Sequence, residues 1–448
     1  MNKGKLFQST IVAALAGFIF GFDMVVISGA DKPIQELWHT TPLFHGFFIM
    51  SMALWGTVIG SVFAGAPTEK YGRKKVLIWL GIMFIASAIG SAFAQDPYTF
   101  SFFRLIGGIA IGVSSVAAPT YISEISNKNN RGKLVGMYQF NIVFGILVAY
   151  LSNYFLAGFG GANDWRWMLA VLLIPSIIYT LMTLGLPESP RWLFSVKNDE
   201  AGARENLAIV GVENIDQTIQ EIKTANEEEK AQGSILLFTK HHSKIISIAF
   251  FVAFFNQASG INFLLYYAPR ILEEAGFAKN NSLLSSISLG LMNLVFTFVG
   301  LWLIDRIGRK TLLIIGSFGY IISLSMVAYG FINHSAPEFM LSFLLLFIAA
   351  HAIGQGAVIW VLISEIFPTQ IRAKGQAFGA SIHWIFAALI TLVTPVFLDS
   401  EDGIFKENPW PIFAFFTVMM ALQLVWIIAK VPETKGVSLE ELQKKLAS

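Results

Sequence analysis

Glu69-Lys-Tyr-Gly-Arg-Lys-Lys75 and Asp305-Arg-Ile-Gly-Arg-Lys310 are short charged stretches set between long apolar runs in opposite halves of a 448-residue chain. Their separation, 236 residues from Glu69 to Asp305, nearly recurs elsewhere. Glu124 and Arg131 (ISEIS…RGK) return 241 residues on as Glu365 and Arg372 (ISEIF…RAK), and Pro187-Glu-Ser-Pro190 returns 245 residues on as Pro432-Glu-Thr-Lys435. Three independent motifs at near-constant spacing mean a duplicated unit. Charges are costly beside a bilayer core, so their recurrence at equivalent helix ends points to a mechanical role shared by both halves, as in a two-lobed membrane carrier.

Composition agrees. Hydrophobic residues make up 55% of the chain and charged ones 13%, with 40 Phe, which places it in the membrane class. The net charge of +2 is spread over short loops rather than gathered into a stripe, which argues against nucleic acid. With no cysteine, thiolate metal sites and disulfides are excluded, and no other metal-ligand or catalytic spacing stands out. A hydrocarbon core of roughly 30 Å needs about 20 apolar residues. Twelve such segments are expected, at 9–30, 43–67, 75–95, 98–123, 132–157, 165–186, 243–272, 282–304, 311–332, 337–363, 374–398 and 409–430. The first, which carries Asp23 and lacks a cleavage site, reads as an uncleaved span.

The gap at 187–242 is polar, with helical periodicity over 199–207 and 212–232. The chain thus divides into a six-helix bundle (1–186), a cytoplasmic helical linker (187–242), a second six-helix bundle (243–430) and a cytoplasmic tail (431–448). With both termini placed in the cytoplasm, the outer loops hold five basic residues: Lys32, Arg166, Arg270, Lys279 and Lys406. Arg104 lies within a span, and the other 25 of the 31 fall inside, which fixes that topology. Small residues such as Gly56, Gly60, Gly65, Gly107, Gly108 and Gly112 are expected to let helices pack closely, since lipid gives no hydrophobic drive between them.

The ordered set GRKK, RGK, PESPRW, QxSGIN, DRIGRK and PETKG resembles that of the sugar porter family of the major facilitator superfamily, and the resemblance covers essentially the whole chain. It implies an all-α membrane protein, twelve transmembrane helices in two pseudo-symmetric six-helix bundles, working by alternating access on a monosaccharide or related polyol. A bacterial inner membrane and a monomer that contacts only lipid, sugar and protons are the expected setting.

Asp23, in Gly17-Phe-Ile-Phe-Gly-Phe-Asp23, lies well inside the first span. A carboxylate there costs about 2.5–3.5 kcal/mol and needs a partner or a function. Arg104 in the fourth span is the obvious partner. Either the two form a static pair, or Asp23 takes up a proton in one state and releases Arg104; the resemblance implies the second, since family members with Asp here are typically proton symporters, with the proton as coupling ion and no other cofactor.

Sugar recognition needs donors and acceptors on a dry wall together with flat apolar faces. The seventh span offers Asn256-Gln257-Ala-Ser-Gly260-Ile-Asn262, and then Tyr266 and Tyr267 about a turn farther out, where an extracellular gate would sit. The resemblance assigns sugar contacts to Gln257 and Asn262, and by position to Gln139 and Asn293, with Trp360 as a platform. Asn256 and His383, beside Trp384, stand where many relatives carry Gln, and Ala357 where proline is usual. The histidine either bonds the substrate or titrates, or it joins a neighbouring helix. The remaining histidines read as surface or packing residues.

On the cytoplasmic side Glu69, Arg73, Glu124, Arg131, Glu188 and Arg191, with Asp305, Arg309, Glu365, Arg372 and Glu433, are expected to form the latch that holds the lobes together when the outside is open. The sequence points to a proton-coupled monosaccharide importer and not an enzyme. A sugar facilitator, a polyol or inositol symporter and a sugar sensor are the alternatives.

Overall fold

Each apolar run becomes a helix because a spanning segment meets no water, and must pair its own N–H and C=O groups. The computed structural model describes residues 3–126, 130–232, 236–437 and 442, without the side chains of Lys3, Arg131, 228–232, His241 and Thr369. Among the described residues eleven helices are long and apolar enough to cross a bilayer, and a pair bent by 43°, Pro42–Met50 with Met52–Phe63, supplies the twelfth.

The first span, Lys3–Trp38, runs a full two turns beyond the expected 9–30, so Lys32 lies within a helix rather than in a loop. The others in the first half are Arg73–Phe93, Pro97–Ile125, Arg131–Leu156 and a sixth over Asp164–Ala170 and Leu173–Leu184. The second half contributes Ser243–Ala258 with Ile261–Glu274, Lys279–Ile307, Arg309–Ile332, a tenth span from Pro337 to Ile366, Arg372–Leu398 and Trp410–Lys430. Between the halves lie Glu200–Ile209 and Ile215–Gln232, near the expected helices, preceded by Pro190–Ser195, a short helix started by Pro190 and capped by Ser189.

Packing repeats along with the sequence. The first span lies along the fifth as the seventh lies along the eleventh, the second against the fourth as the eighth against the tenth, and the third against the sixth as the ninth against the twelfth. The halves meet through the first and seventh, second and eleventh, and fifth and eighth spans. Small residues make the close contacts: a Cβ on Gly56, Gly60, Gly108 or Gly112 would strike the backbone of the facing helix in the second–fourth pair. Gly107 meets Ser87 instead, and Gly65 faces open space, so it has no packing role.

The repeated charged motifs share one construction. Gly72 (φ +92°, ψ 163°) and Gly308 (φ +92°, ψ 164°) turn the chain between consecutive helices in a conformation L side chains rarely adopt. The turn exposes the N-terminus of the next helix to a carboxylate. Glu188 accepts from the backbone N–H of Arg73 and Lys74, each at 3.0 Å, and Glu433 from those of Arg309 and Lys310, each at 3.0 Å. Each glutamate thereby caps a helix from another part of the chain, where the dipole favours negative charge. Burial pushes the Glu433 carboxyl up, but backbone N–H groups of Lys435, Arg309, Lys310 and Thr434 outweigh it and hold the group below its usual 4.5. Its stabilisation is therefore present above that value and is lost as pH falls through the lowered one.

A Cβ on Gly72 or Gly308 would sit 2.5 Å from an oxygen of Glu188 or Glu433. Gly72→Ala and Gly308→Ala should each destabilise the protein by about 1–3 kcal/mol. Gly65→Ala should not. Thermal unfolding in detergent checks this, and equal midpoints for all three variants would contradict the shared capping geometry.

Candidate functional site

The first and fifth spans touch backbone to backbone, because side chains on Gly17 and Gly21 would collide with the carbonyls of Tyr138 and Ile142. This close approach accompanies the placement of Asp23 in the interior of the first half, opposite the fourth span. Arg104 Nη1 lies 2.5 Å from Asp23 Oδ1, and Nη2 donates to the Asp23 carbonyl at 3.2 Å. Asp23 is 2% exposed and Arg104 1%. The ion pair is dry but incompletely satisfied, since Asp23 Oδ2 and Arg104 Nε have no hydrogen-bond partner. A dry pair of this kind is held by its mutual attraction, and removing either charge strands the other. The Tyr266 hydroxyl is buried within coulombic range of both and is itself unpartnered.

The second constellation spans the seventh, tenth and eleventh helices. Gln257 Nε2 donates to Asn256 Oδ1 at 3.0 Å and lies 3.2 and 3.1 Å from Nδ1 and Nε2 of His383. The His383 ring is 5.0 Å from the half-buried Trp360 ring and 4.6 Å from that of Trp384. Trp384 in turn packs 5.5 Å from Phe20 of the first span. Buried amide atoms are left over: Gln257 Oε1, an acceptor, and Asn262 Nδ2, a donor, have no partner. Native interiors rarely leave such atoms unmatched, so a ligand with vicinal hydroxyls beside an aromatic wall fits the arrangement. Asn293 is buried and Gln139 half-buried, and no side-chain hydrogen bond among the described residues joins either to this cluster.

Helix breaks shape both sites. Gly260, at φ +86°, interrupts the seventh span, and an added Cβ would lie 2.8 Å from the Phe416 ring. Tyr267 leaves helical geometry (φ −117°, ψ 19°) just before Pro269. Both gate tyrosines are fully buried, and the Tyr267 hydroxyl donates to the Thr391 carbonyl at 2.8 Å. The tenth span carries a π-helical turn at Ala352–Gly356, just before Ala357.

Among the repeated charges, Arg73 pairs with Glu124 and Arg309 with Glu365, each at 2.8 Å and each within its own half. Asp305 pairs with Arg309 at 3.1 Å, Arg191 is half-buried in the linker, and Glu69 is exposed. Arg372 Nε is buried without a hydrogen-bond partner, and the Arg131 side chain lies outside the described residues. The three ion pairs each close inside one lobe.

Two histidines that read as surface or packing residues belong to polar networks. His351 Nδ1 is 2.6 Å from the Tyr320 hydroxyl, and His45 Nε2 is 2.8 Å from Asp31. Arg270, taken as an outer-loop cation, is 3% exposed and pairs with Asp31. A signal existed, since Asp31 lies eight residues beyond Asp23 on one helix, but its partners are distant in the sequence.

The family model described as "Sugar (and other) transporter" matches residues 9–446. The chain belongs to that family. It is similar to the D-xylose-proton symporter of Escherichia coli strain K12, at 32% identity over 99% of this chain and 96% of the relative. It is equally similar to the arabinose-proton symporter of Bacillus subtilis strain 168, at 32% identity over 99% and 95%. Its fold matches the E. coli xylose transporter XylE in a partially occluded inward open conformation, with a TM-score of 0.85 and 30% identity over 97% of this chain and 100% of the other.

For this transporter, Gln257→Ala should weaken sugar binding by roughly 1–3 kcal/mol, about 5- to 150-fold, because it removes the cluster's central amide. Calorimetric titration with a sugar that the wild type binds checks this. Undiminished affinity would move the binding site away from the seventh span.

Proposed function

We propose that the chain carries a monosaccharide and a proton together across a membrane by alternating access. The observation that carries this reading is the buried Asp23–Arg104 pair, an ionisable couple in the interior of a sugar transporter of this family. The pair is dry, so a change of charge on either member strands the other, and what happens at Asp23 is felt at Arg104. A proton arriving on Asp23 discharges the couple and frees Arg104, which links proton occupancy to helix packing.

Gln257, Asn262, Asn256 and His383 would bind hydroxyls, Trp360 and Trp384 would cover the apolar faces of the ring, and Gln139 and Asn293 would complete the pocket from the fifth and eighth spans. Residues 1–186 and 243–430 act as the two rocking units, with 187–242 as linker and 431–448 as tail. Both termini face the cytoplasm of a bacterial inner membrane, where the basic residues would hold them. The proton serves as the coupling ion, no other cofactor takes part, and a monomer in lipid suffices. The xylose, arabinose and galactose symporters among its relatives make pentoses and hexoses alike the members of a first substrate panel.

One inward charge contributes about 2.3 kcal/mol per 100 mV, enough for a sugar gradient of about fifty-fold. Proteoliposomes holding the wild type should concentrate the transported sugar when a proton gradient is imposed. Asp23→Asn should keep sugar exchange and lose accumulation. Accumulation in the mutant would overturn the proton assignment, and exchange without accumulation in the wild type would identify a facilitator.

A further inference from the structure

The face opposite the described chain ends, the distal face, holds a second set of buried charges outside the transport site. Asp31, Lys32 and Gln35 come from the end of the first span, and His45 from the start of the second. Arg270 and Glu273 come from the seventh span, and Asp399 follows the eleventh. Asp31 Oδ2 is 2.7 Å from Arg270 Nε, an ion pair whose N–H does not point along the contact. Arg270 Nη2 donates to Gln35 Oε1 at 2.5 Å, and Gln35 Nε2 donates to Asp399 Oδ2 at 2.7 Å. Asp399 Oδ2 lies 3.5 Å from Arg270 Nη1. His45 holds the other Asp31 oxygen and takes its second contact from the Thr40 hydroxyl at 3.0 Å. Lys32 and Glu273 pair at 2.5 Å alongside.

Arg270 joins the two halves through Asp31 and Gln35, and Gln35 joins them again through Asp399, while the Arg270–Asp399 pair lies inside the second half. The links between halves are the reverse of the repeated motifs, whose ion pairs close within a half. Two hydroxyl bonds seal the same region: Tyr150 of the fifth span to the Leu265 carbonyl, and Tyr267 to the Thr391 carbonyl, both at 2.8 Å. A buried network of this kind has two low-energy arrangements, dry and paired or separated and hydrated, and a poor one in which a charge is dry and alone. Such an element is bistable, which a gate requires.

We propose that Arg270, joined to Asp31 and Asp399, is a charge latch that holds the distal entrance of the carrier shut. Asp399 is held ionised for this role: burial raises its carboxyl, but the N–H groups of Asp402 and Glu401, with Gln35 and Arg270, bring it below its usual 3.8. The latch rests on the alternating-access reading only in taking the two halves to move apart at this face.

The chain contains no cysteine, so a pair introduced at the exposed positions Leu43, in the first turn of the second span, and Ile404, in the loop after the eleventh, can be spin-labelled without background. Distances are read by pulsed electron resonance in lipid nanodiscs, without sugar or a proton gradient. The labelled parent should show mainly a short-distance population. Arg270→Gln should shift it to longer distances, raising the open-to-closed ratio about tenfold or more. Asp31→Asn combined with Arg270→Gln keeps the shapes and removes the buried Asp31 charge with its partner, leaving Asp399 on the N–H groups of Asp402 and Glu401 and on Gln35, and should shift it likewise. Asp399→Asn leaves Arg270 paired with Asp31 and should give a smaller shift. A parent-like distribution in any folded variant that lacks Arg270, or no shift in Asp399→Asn should the others fail to fold, overturns the latch. A shift in a protein that fails to accumulate sugar would leave the latch standing and sink the symport reading.

Discussion

A helix that breaks inside a bilayer has to find new partners for the backbone groups it frees, and this constraint decides where the mechanism of this chain can sit. The seventh span breaks twice, and the neighbouring residues repair each break. At Gly260 the Ser259 hydroxyl donates to the Asn256 carbonyl at 2.6 Å and accepts from the Ile261 N–H at 3.3 Å, bridging both sides of the interruption. At Pro269 the missing N–H would orphan the Leu265 carbonyl four residues back. The Tyr150 hydroxyl fills that place at 2.8 Å, and it comes from the other half of the chain. The repair at Pro269 is thus also a contact between lobes, so moving the lobes apart has to leave this carbonyl to water. The first break lies between Gln257 and Asn262 and the second a turn or two beyond them, so these amides lie on a helix interrupted twice.

The same accounting explains the repeated glutamates. The helices that begin at Arg73 and Arg309 each start with unpaired N–H groups, beside a glycine turn too tight for a side chain. Glu188 and Glu433 satisfy those groups from beyond the sixth and twelfth spans, tying the end of each half to its own third helix. Arg73 and Arg309 then reach Glu124 and Glu365 at the ends of the fourth and tenth spans. Each cassette thereby fastens three helices of one half into a rigid body. Lobes that rock need internal stiffness as much as a latch between them, and in this conformation the cassettes supply the stiffness.

How much of this could be read from the sequence depended on how local the signal was. Spans, duplication and the Gly72 and Gly308 turns lie in contiguous residues, so they were legible. Asp23 with Arg104 was legible too, because a carboxylate in an apolar run demands a partner and few candidates existed. The choice of partner among many charges was not. Glu124 has Arg131 nearby in sequence but binds Arg73, since the helix ends converge in three dimensions and not along the chain. Arg270 looked like an ordinary outer cation because it stands at the end of its span and its partners Asp31, Gln35 and Asp399 come from separate elements. The π-helical turn of the tenth span was equally hidden, because it has no residue signature as plain as proline.

The departures from symmetry show how the two halves divide the work. Near the repeat spacing from Asp23 and Arg104 stand Phe263 and Leu344, both buried and neither able to carry charge. The second half instead places amides, an imidazole and indoles on the seventh, tenth and eleventh spans. An ion pair in one half and a ligand cluster in the other, joined by Phe20 against Trp384, can sense different cargoes while sharing one moving interface. Tyr266 is the residue that touches both domains of influence: it sits on the seventh span, just beyond Asn262, yet its unpartnered hydroxyl lies within the field of Asp23 and Arg104. Coupling then needs no long relay, because displacing the seventh span to admit or release a ligand also changes the surroundings of the charged pair.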